Sequence, residues 1–366
     1  MKIIHITTSL GNGGLENMLV DIANCQVTLG HSVAIIIVNS SVEESVLQRI
    51  NNEVRVFKIN REKGNSSIYY LIKLLLVFIK LWNYDIIHCH GVYLGKLLRF
   101  FSAKPRILTL HALNLEIEPL KYYNSVVAIS NAVKTDIEER SNFSPCLIYN
   151  GINFDSIKFK NKGLLNNSNF IRLVQVGRLN SKIKGQDILI KALNHLVIAK
   201  DFGEFEMDFI GSGDSYNDLM EMVVKFHLEQ KITFLGNKSR DWIYDNLHDY
   251  DVFIQPSRFE GFGLTVVEAM AAKIPVIVAD NDGPSEIIKK GEYGYIFENG
   301  DYEGLSNKML DVIKNIKLGR QRAKSERAYV YANDKFNIQT TAKEYIKEYQ
   351  RVLDKNNQKF ILKNVS

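Results

Sequence analysis

Glu260 and Glu268 stand eight positions apart in SRFEGFGLTVVEAMAAKIPVIV, residues 257–278, where two glycines and a long apolar run otherwise read as protein core. Gly261 and Gly263 permit a turn that hugs an anion, and a helix beginning near Leu264 offers that anion the free N–H groups of its first turn. Glu268 then falls about one turn inside the helix. A carboxylate aimed at a phosphate there would compete with it, so its better use is to accept hydrogen bonds from hydroxyls such as a ribose diol. Glu260, on the preceding loop, suits sugar hydroxyls in the same way. The alternative is an ordinary helix start with acidic residues, which the helix dipole favours by itself.

VGRLNSKIKG, residues 176–185, places Arg178 and Lys184 on one strand-to-helix loop, where two cations could neutralise a diphosphate or could simply be solvated surface charges. SLGNGGLENML, from Ser9, follows the first strand. It opens like a dinucleotide fingerprint but has Glu16 where the third glycine should be, which disfavours a nicotinamide site. Gly13 and Gly14 still permit positive φ and close backbone approach to an anion, or only a tight turn.

These loops need a scaffold that aims them at one place. Short apolar strands alternate with helical patterns throughout, as doubly wound parallel sheets require. Strands are expected at KIIHITT, SVAIIIV, VRVFKI, DIIHCH, RILTLH, SVVAIS and CLIYN in the first half, and at IRLVQVG, FEMDFIG, ITFLG, DVFIQPS, PVIVAD and GYIF in the second. Helices are expected between them, among them residues 15–30, 66–82, 185–200 and 264–272. The polar stretch KFKNKGLLNNSNF, residues 158–170, reads as a linker. The reading is therefore two Rossmann-like α/β domains facing a cleft, 1–160 and 161–340, with 341–366 a C-terminal helix that packs back toward the first domain and a frayed last dozen residues. Ligands of such sheets bind beyond the carboxyl ends of the strands.

The bulk numbers agree with this scale. A chain of 366 residues exceeds the usual limit of one core, and 46% hydrophobic with 24% charged residues is ordinary globular composition. The net charge of +5 is N-terminal: residues 1–166 carry 18 Lys/Arg against 13 Asp/Glu, and the rest 28 of each. That is too mild for nucleic acid but suits weak attraction to an anionic membrane. Cys25, Cys89 and Cys146 form neither a disulfide framework nor a zinc motif, and the N-terminus shows no export signal, so the reducing cytoplasm is the expected home. IYYLIKLLLVFIKLW, residues 68–82, is too short to span a bilayer. It is either a buried amphipathic helix or one whose outer face lies on lipid headgroups with Lys73 and Lys80 snorkelling.

Several stretches together resemble the retaining family-4 glycosyltransferases of GT-B fold: GGLE at 13–16, VGRL with KG at 176–185, IGSGD at 210–214, FLG at 234–236 and QPSRFEGFGLTVVEAMAAKIPVIV at 255–278. The resemblance implies that Arg178 and Lys184 grip a donor diphosphate, Glu260 the donor sugar's hydroxyls and Glu268 the ribose. It implies further that backbone around Gly261, Phe262, Gly263 and Leu264 meets phosphate, that Gly14 approaches from the other domain, and that His111 lies near the anomeric carbon. Glu260 and His111 are then the catalytic candidates. His88 and His90, in HCHG, are weaker ones. No cofactor and no metal are expected. The pairs Asp249/Asp251 and Asp280/Asp282 have the DxD form used by metal-dependent transferases of another fold, but the first reads as a turn and the second as a family loop.

The function implied is transfer of a hexose or N-acetylhexosamine from a nucleotide-sugar, UDP-linked, to a glycan acceptor. A lipid-linked intermediate of surface-polysaccharide synthesis, such as O-antigen (lipopolysaccharide) or capsule, at the inner face of the membrane fits best. Alternatives are a nucleotide-sugar epimerase, a small-acceptor transferase, or a non-catalytic nucleotide-sugar-binding scaffold.

Overall fold

A computed structural model describes the chain except residues 12, 63, 66, 161–169, 281 and 366 and the side chains of 282 and 359–365. Most of the linker expected at 158–170 therefore lies outside the described residues. Two compact units emerge, one of Met1–Ile152 with Phe336–Ser366, the other Asn153–Lys335. The chain leaves the first unit at Ile152, eight residues before the boundary read from sequence. It re-enters at Phe336, and the two crossings are stitched by Ile152 N–H to the Phe336 carbonyl and Ile338 N–H to that of Ile152, both 2.9 Å.

Seven parallel strands form the first sheet: β1 Lys2–Thr7, β2 Ser32–Asn39, β3 Arg55–Arg61, β4 Ile86–Cys89, β5 Arg106–Leu110, β6 Ser125–Ala128 and β7 Cys146–Leu147. Their order is β3-β2-β1-β4-β5-β6-β7. The second sheet has six: β8 Ile171–Val176, β9 Phe205–Ile210, β10 Ile232–Gly236, β11 Val252–Gln255, β12 Val276–Ala279 and β13 Tyr295–Phe297, ordered β10-β9-β8-β11-β12-β13. Each of these thirteen strands coincides with a segment predicted from sequence. The central strands are buried along their whole length, which is why they read as continuous apolar runs rather than alternating ones.

Each sheet reverses its strand order between its first and fourth strands, β1/β4 and β8/β11. Loops leaving that pair part to opposite faces of the sheet, which opens a crevice at the carboxyl ends. Helices that follow outer strands start on polar caps: after β6 the Ser130 hydroxyl accepts from Val133 N–H at 3.1 Å, and after β13 the Asp301 carboxylate accepts from Gly304 N–H at 2.9 Å.

The last helix, Ile338–Val365, is continuous through residues that the sequence reads as frayed. Its Tyr345, Tyr349 and Val352 pack with Ile3, Ile86 and Ile107 in the core of the first unit. The helix Ile68–Lys80 buries Leu74 and Phe78 and leaves its other face exposed, an amphipathic arrangement that both readings of its sequence allow. Ile68, Ile72, Leu76, Ile79 and the neighbouring Trp82 form an exposed apolar face. Among the described residues, no helix is long and apolar enough to cross a membrane.

Candidate active site

The second unit builds its site from the two loops that leave β8 and β11. Residues read from sequence as one loop contain a short helix, Ser181–Lys184, closed by Gly185 in the left-handed region at φ 68°. A Cβ at Gly185 would lie 1.9 Å from the Pro256 carbonyl oxygen, so glycine is what lets the two loops touch. Arg258 and Phe259 N–H donate to the Ile183 carbonyl at 2.7 and 3.3 Å. Arg258 also forks onto Asp187 at 2.7 and 2.8 Å and reaches the Ser181 carbonyl at 2.6 Å. Burial works against the Asp187 charge, but the fork outweighs it and holds that carboxyl below its ordinary range.

This clamp brings two of the predicted residues into contact: the Lys184 ammonium donates to the Glu260 carboxylate in a partly buried ion pair. The carboxamide N–H₂ of buried Gln255, at the end of β11, donates to Ser257 Oγ at 2.8 Å and lies 3.4 Å from the same Glu260 oxygen. Gln175, near the end of β8, donates to the Lys184 carbonyl at 3.0 Å. The amide oxygens of both glutamines are buried with no hydrogen-bond partner among the described residues.

Beyond Glu260 the chain turns through Gly261 and buried Phe262 to Gly263 at φ 106°, a conformation natural to glycine, and the helix Leu264–Ala271 starts there. Gly283 N–H holds the Glu260 carbonyl at 3.1 Å. Glu268 falls one turn in and is 8% exposed. Arg178 takes a different partner, Asp214 at 3.8 Å, with its own side chain 70% exposed. Asp251 is engaged in the fold: it is buried, pairs with Lys160 at 2.6 Å and accepts from Arg172 N–H at 2.9 Å. Asn281 and the Asp282 side chain of the other Asp pair lie outside the described residues.

Gly14 and His111 belong to the first unit. Gly14 opens the helix Gly14–Thr28, and Gly13 before it is extended at φ −101° rather than left-handed; its missing Cβ leaves room for the Glu16 carboxylate. His111 follows β5 and starts a chain of buried polar groups. Its Nε2 lies 3.2 Å from His90 Nδ1, His90 Nε2 3.1 Å from His5 Nδ1, and His5 Nε2 2.8 Å from Gln26 Oε1. Gln26 donates to the Tyr349 hydroxyl at 3.2 Å, which lies 2.6 Å from His88 Nδ1. His88 Nε2 is 2.7 Å from Thr109 Oγ1, itself 2.9 Å from the Tyr345 hydroxyl. Burial disfavours the imidazolium form: it pushes His5 down to about 4 and His111 to about 3, and His88 and His90 well below the ordinary value.

His90 and His111 also line a cavity of about 690 Å³ whose walls include Arg61, Tyr70, Leu74, Val92, Leu94 and Leu115. Sequence reasoning weighed His88 and His90 but missed His5, Gln26 and the two tyrosines. A signal was present: His88 on β4 and His90 just past its end are two positions apart, and His5 sits on β1, its neighbour across the switch point, in register with His88.

The family model of the glycosyl transferases group 1 matches residues 156–329, and that of glycosyltransferase family 4 matches residues 12–156. Between them they span both units. The chain is a family-4 glycosyltransferase of GT-B fold. It is 29% identical over 276 residues to an uncharacterized glycosyltransferase of Methanocaldococcus jannaschii, covering 71% of this chain and 74% of that one. It is 27% identical over 323 residues to the capsular polysaccharide biosynthesis glycosyltransferase CapM of Staphylococcus aureus, covering 76% and 83%. HepE of Anabaena, solved in complex with UDP and glucose, shares the fold with a TM-score of 0.79 at 22% identity, covering 96% of this chain and 99% of that one. In this glycosyltransferase, Arg178, Lys184, Glu260 and Glu268 fall in the first matched segment, and Gly14 and His111 in the second.

Proposed function

We propose that this glycosyltransferase moves a hexose or N-acetylhexosamine, with retention and without a metal, from a UDP-sugar to a lipid-linked glycan in surface-polysaccharide synthesis. The observation that carries the donor side is the Lys184–Glu260 pair beside the start of the helix Leu264–Ala271. A cation, free helix N–H groups and a carboxylate gathered at a switch point suit a sugar diphosphate: positive groups for the leaving charge, an acceptor for hydroxyls. Glu268 is the group we assign to the ribose, and Arg178, exposed, is free to swing onto the diphosphate. In the transfer step the bond from the anomeric carbon to the diphosphate oxygen breaks, the acceptor oxygen bonds to that carbon on the same face, and the acceptor proton passes to the departing phosphate.

Support for a surface-polysaccharide role is the likeness to CapM of Staphylococcus aureus, a capsular polysaccharide biosynthesis glycosyltransferase. Support for a lipid-linked acceptor is the largely apolar cavity that His111 lines, together with the exposed apolar face of the helix Ile68–Lys80, which would rest on an anionic membrane at its cytoplasmic side. The test is turnover of a panel of UDP- and GDP-sugars, with NMR of the sugar first released. Retention predicts that an α-linked donor yields the α anomer, and the β anomer would refute it. Activity should persist in EDTA; loss restored by Mn²⁺ would overturn the metal-free assignment.

A further inference from the structure

The hydrogen bonds behind His111 admit only two proton arrangements. A neutral imidazole has one N–H and one lone pair, so a bond between two rings needs a donor on one and an acceptor on the other. Start from Gln26. Its carbonyl oxygen faces His5 Nε2, so that nitrogen carries the hydrogen and His5 Nδ1 is a lone pair. His90 Nε2–H must then donate to His5, and His111 Nε2–H to His90 Nδ1. On the other branch, Tyr349 accepts from the Gln26 amide and gives its hydrogen to His88 Nδ1, so His88 Nε2–H donates to Thr109. Turning the Gln26 amide over would reverse every one of these bonds and leave His111 Nε2 bare. Mixed arrangements set two lone pairs or two hydrogens against each other, and a buried donor or acceptor left unsatisfied costs about 1–3 kcal/mol.

One ring nitrogen from each of His5, His88 and His90 lies within 4.8 Å of the other two, a spacing a metal could use. All six of their nitrogens, however, already face a polar partner in the bonds above, so a metal would have to displace them. The cluster reads better as a relay.

We infer that Gln26 is a positioning residue for His111: its carboxamide orientation fixes His111 as the Nε2–H tautomer, so that Nδ1 offers a lone pair at the cavity which His111 lines. The consequence for ligand recognition is specific. His111 would accept a hydroxyl hydrogen rather than donate to a developing anion, which assigns it to holding a sugar hydroxyl. That use rests on the transferase reading; the tautomer itself rests only on the relay, and is measured without substrate.

The experiment is long-range ¹H–¹⁵N correlation NMR of the full chain, perdeuterated and labelled with ¹⁵N-histidine, near pH 7.5, with His111 assigned through His111→Gln. The expected result is a protonated Nε2 and a pyridine-type Nδ1 at His111. In Gln26→Met, and in Tyr349→Phe, which frees the amide from its partner, the His111 signals should move toward a mixture of tautomers. His195, in the other unit and 3.1 Å from Ser306 Oγ, should stay unchanged. A wild-type His111 carrying its hydrogen on Nδ1, or identical His111 signals in wild type and in the folded variants, would overturn the proposal. So would His195 shifting together with His111, which would indicate general loosening. Should Gln26→Met not fold, the wild-type spectrum and Tyr349→Phe still decide it.

Discussion

The Lys184 ammonium rests on the Glu260 carboxylate, so the residue assigned to the leaving diphosphate and the residue assigned to the sugar hold each other. The pair keeps both side chains partly buried at low electrostatic cost and gives each a reason to exchange its partner for the donor. Lys184→Ala should lower kcat about 10²–10³-fold, the magnitude typical of losing one preorganised donor to a developing negative charge. Glu260→Gln leaves Lys184 unpaired, and the double variant should lose less than the sum of the singles because the two share one interaction. Steady-state kinetics with a UDP-sugar reads both. Near-normal turnover in Lys184→Ala and also in Arg178→Ala would rule out the diphosphate assignment.

Glu268 is buried on the helix whose first turn we assign to phosphate. A carboxylate placed to accept two ribose hydroxyls should contribute mainly to affinity, because the ribose does not change during transfer. Glu268→Ala is expected to weaken UDP binding roughly 10- to 150-fold, the equivalent of about 1.5–3 kcal/mol for hydrogen bonds to a charged group. Calorimetry with UDP measures this directly, and an unchanged Kd would remove Glu268 from the nucleotide site.

Gly185→Ala probes the contact between the two loops. The new methyl group would meet the Pro256 carbonyl at 1.9 Å on a backbone at φ 68°. Overpacking of this kind typically costs about 1–3 kcal/mol, and the left-handed conformation adds about 1–2 kcal/mol for a non-glycine residue. The urea midpoint should fall accordingly. Turnover should fall further than stability explains, since Lys184 is the adjacent residue. Retained midpoint and retained turnover together would show that the clamp is not needed.

What the sequence made legible follows from what is local. Strands buried on both faces are continuous apolar runs, so the segments of both sheets could be read from residues such as Ile86–Cys89 and Val276–Ala279. Glu260, Gly263 and Glu268 were legible because they share one turn and one helix. The partners that bind them were not. Lys184 approaches Glu260 only through the pairing of β8 with β11, and the Arg258–Asp187 fork joins residues 71 positions apart. The histidine chain shows the same limit more sharply: Gln26 and Tyr349 are 323 residues apart, and neither position carries a mark of its polar partner.

The exposed face of the helix Ile68–Lys80 tests the membrane assignment. Ile79 is 57% and Trp82 76% exposed, and the first unit carries the positive excess of the chain. Fully burying a side chain such as Leu or Ile is worth about 1.5–3 kcal/mol. Replacing Leu76 and Ile79 by Asp should therefore reduce binding to vesicles of phosphatidylglycerol and phosphatidylethanolamine by more than about tenfold. Wild-type binding should also weaken as salt rises. Co-sedimentation measures both, and equal binding by wild type and variant would discard this face as the contact.

The same four histidines should make the protein acid-labile. Their neighbours in the relay are the neutral Gln26, Thr109, Tyr345 and Tyr349, so nothing in it favours an imidazolium. Burial holds His5 down to about 4 and His111 to about 3, with His88 and His90 also well below 6.5. The unfolded chain therefore binds more protons than the native one once pH drops below about 6.5, and stability rises with pH through that window. It is complete above about pH 6.5 and is lost as pH falls toward 4, each group contributing up to about 1.4 kcal/mol per pH unit. The urea midpoint should decline between pH 6.5 and 5.5, before most carboxylates titrate. His90→Gln should show a shallower decline by one proton's worth, whatever its midpoint at neutral pH. A midpoint that stays flat across this window would mean that the rings take up protons without unfolding.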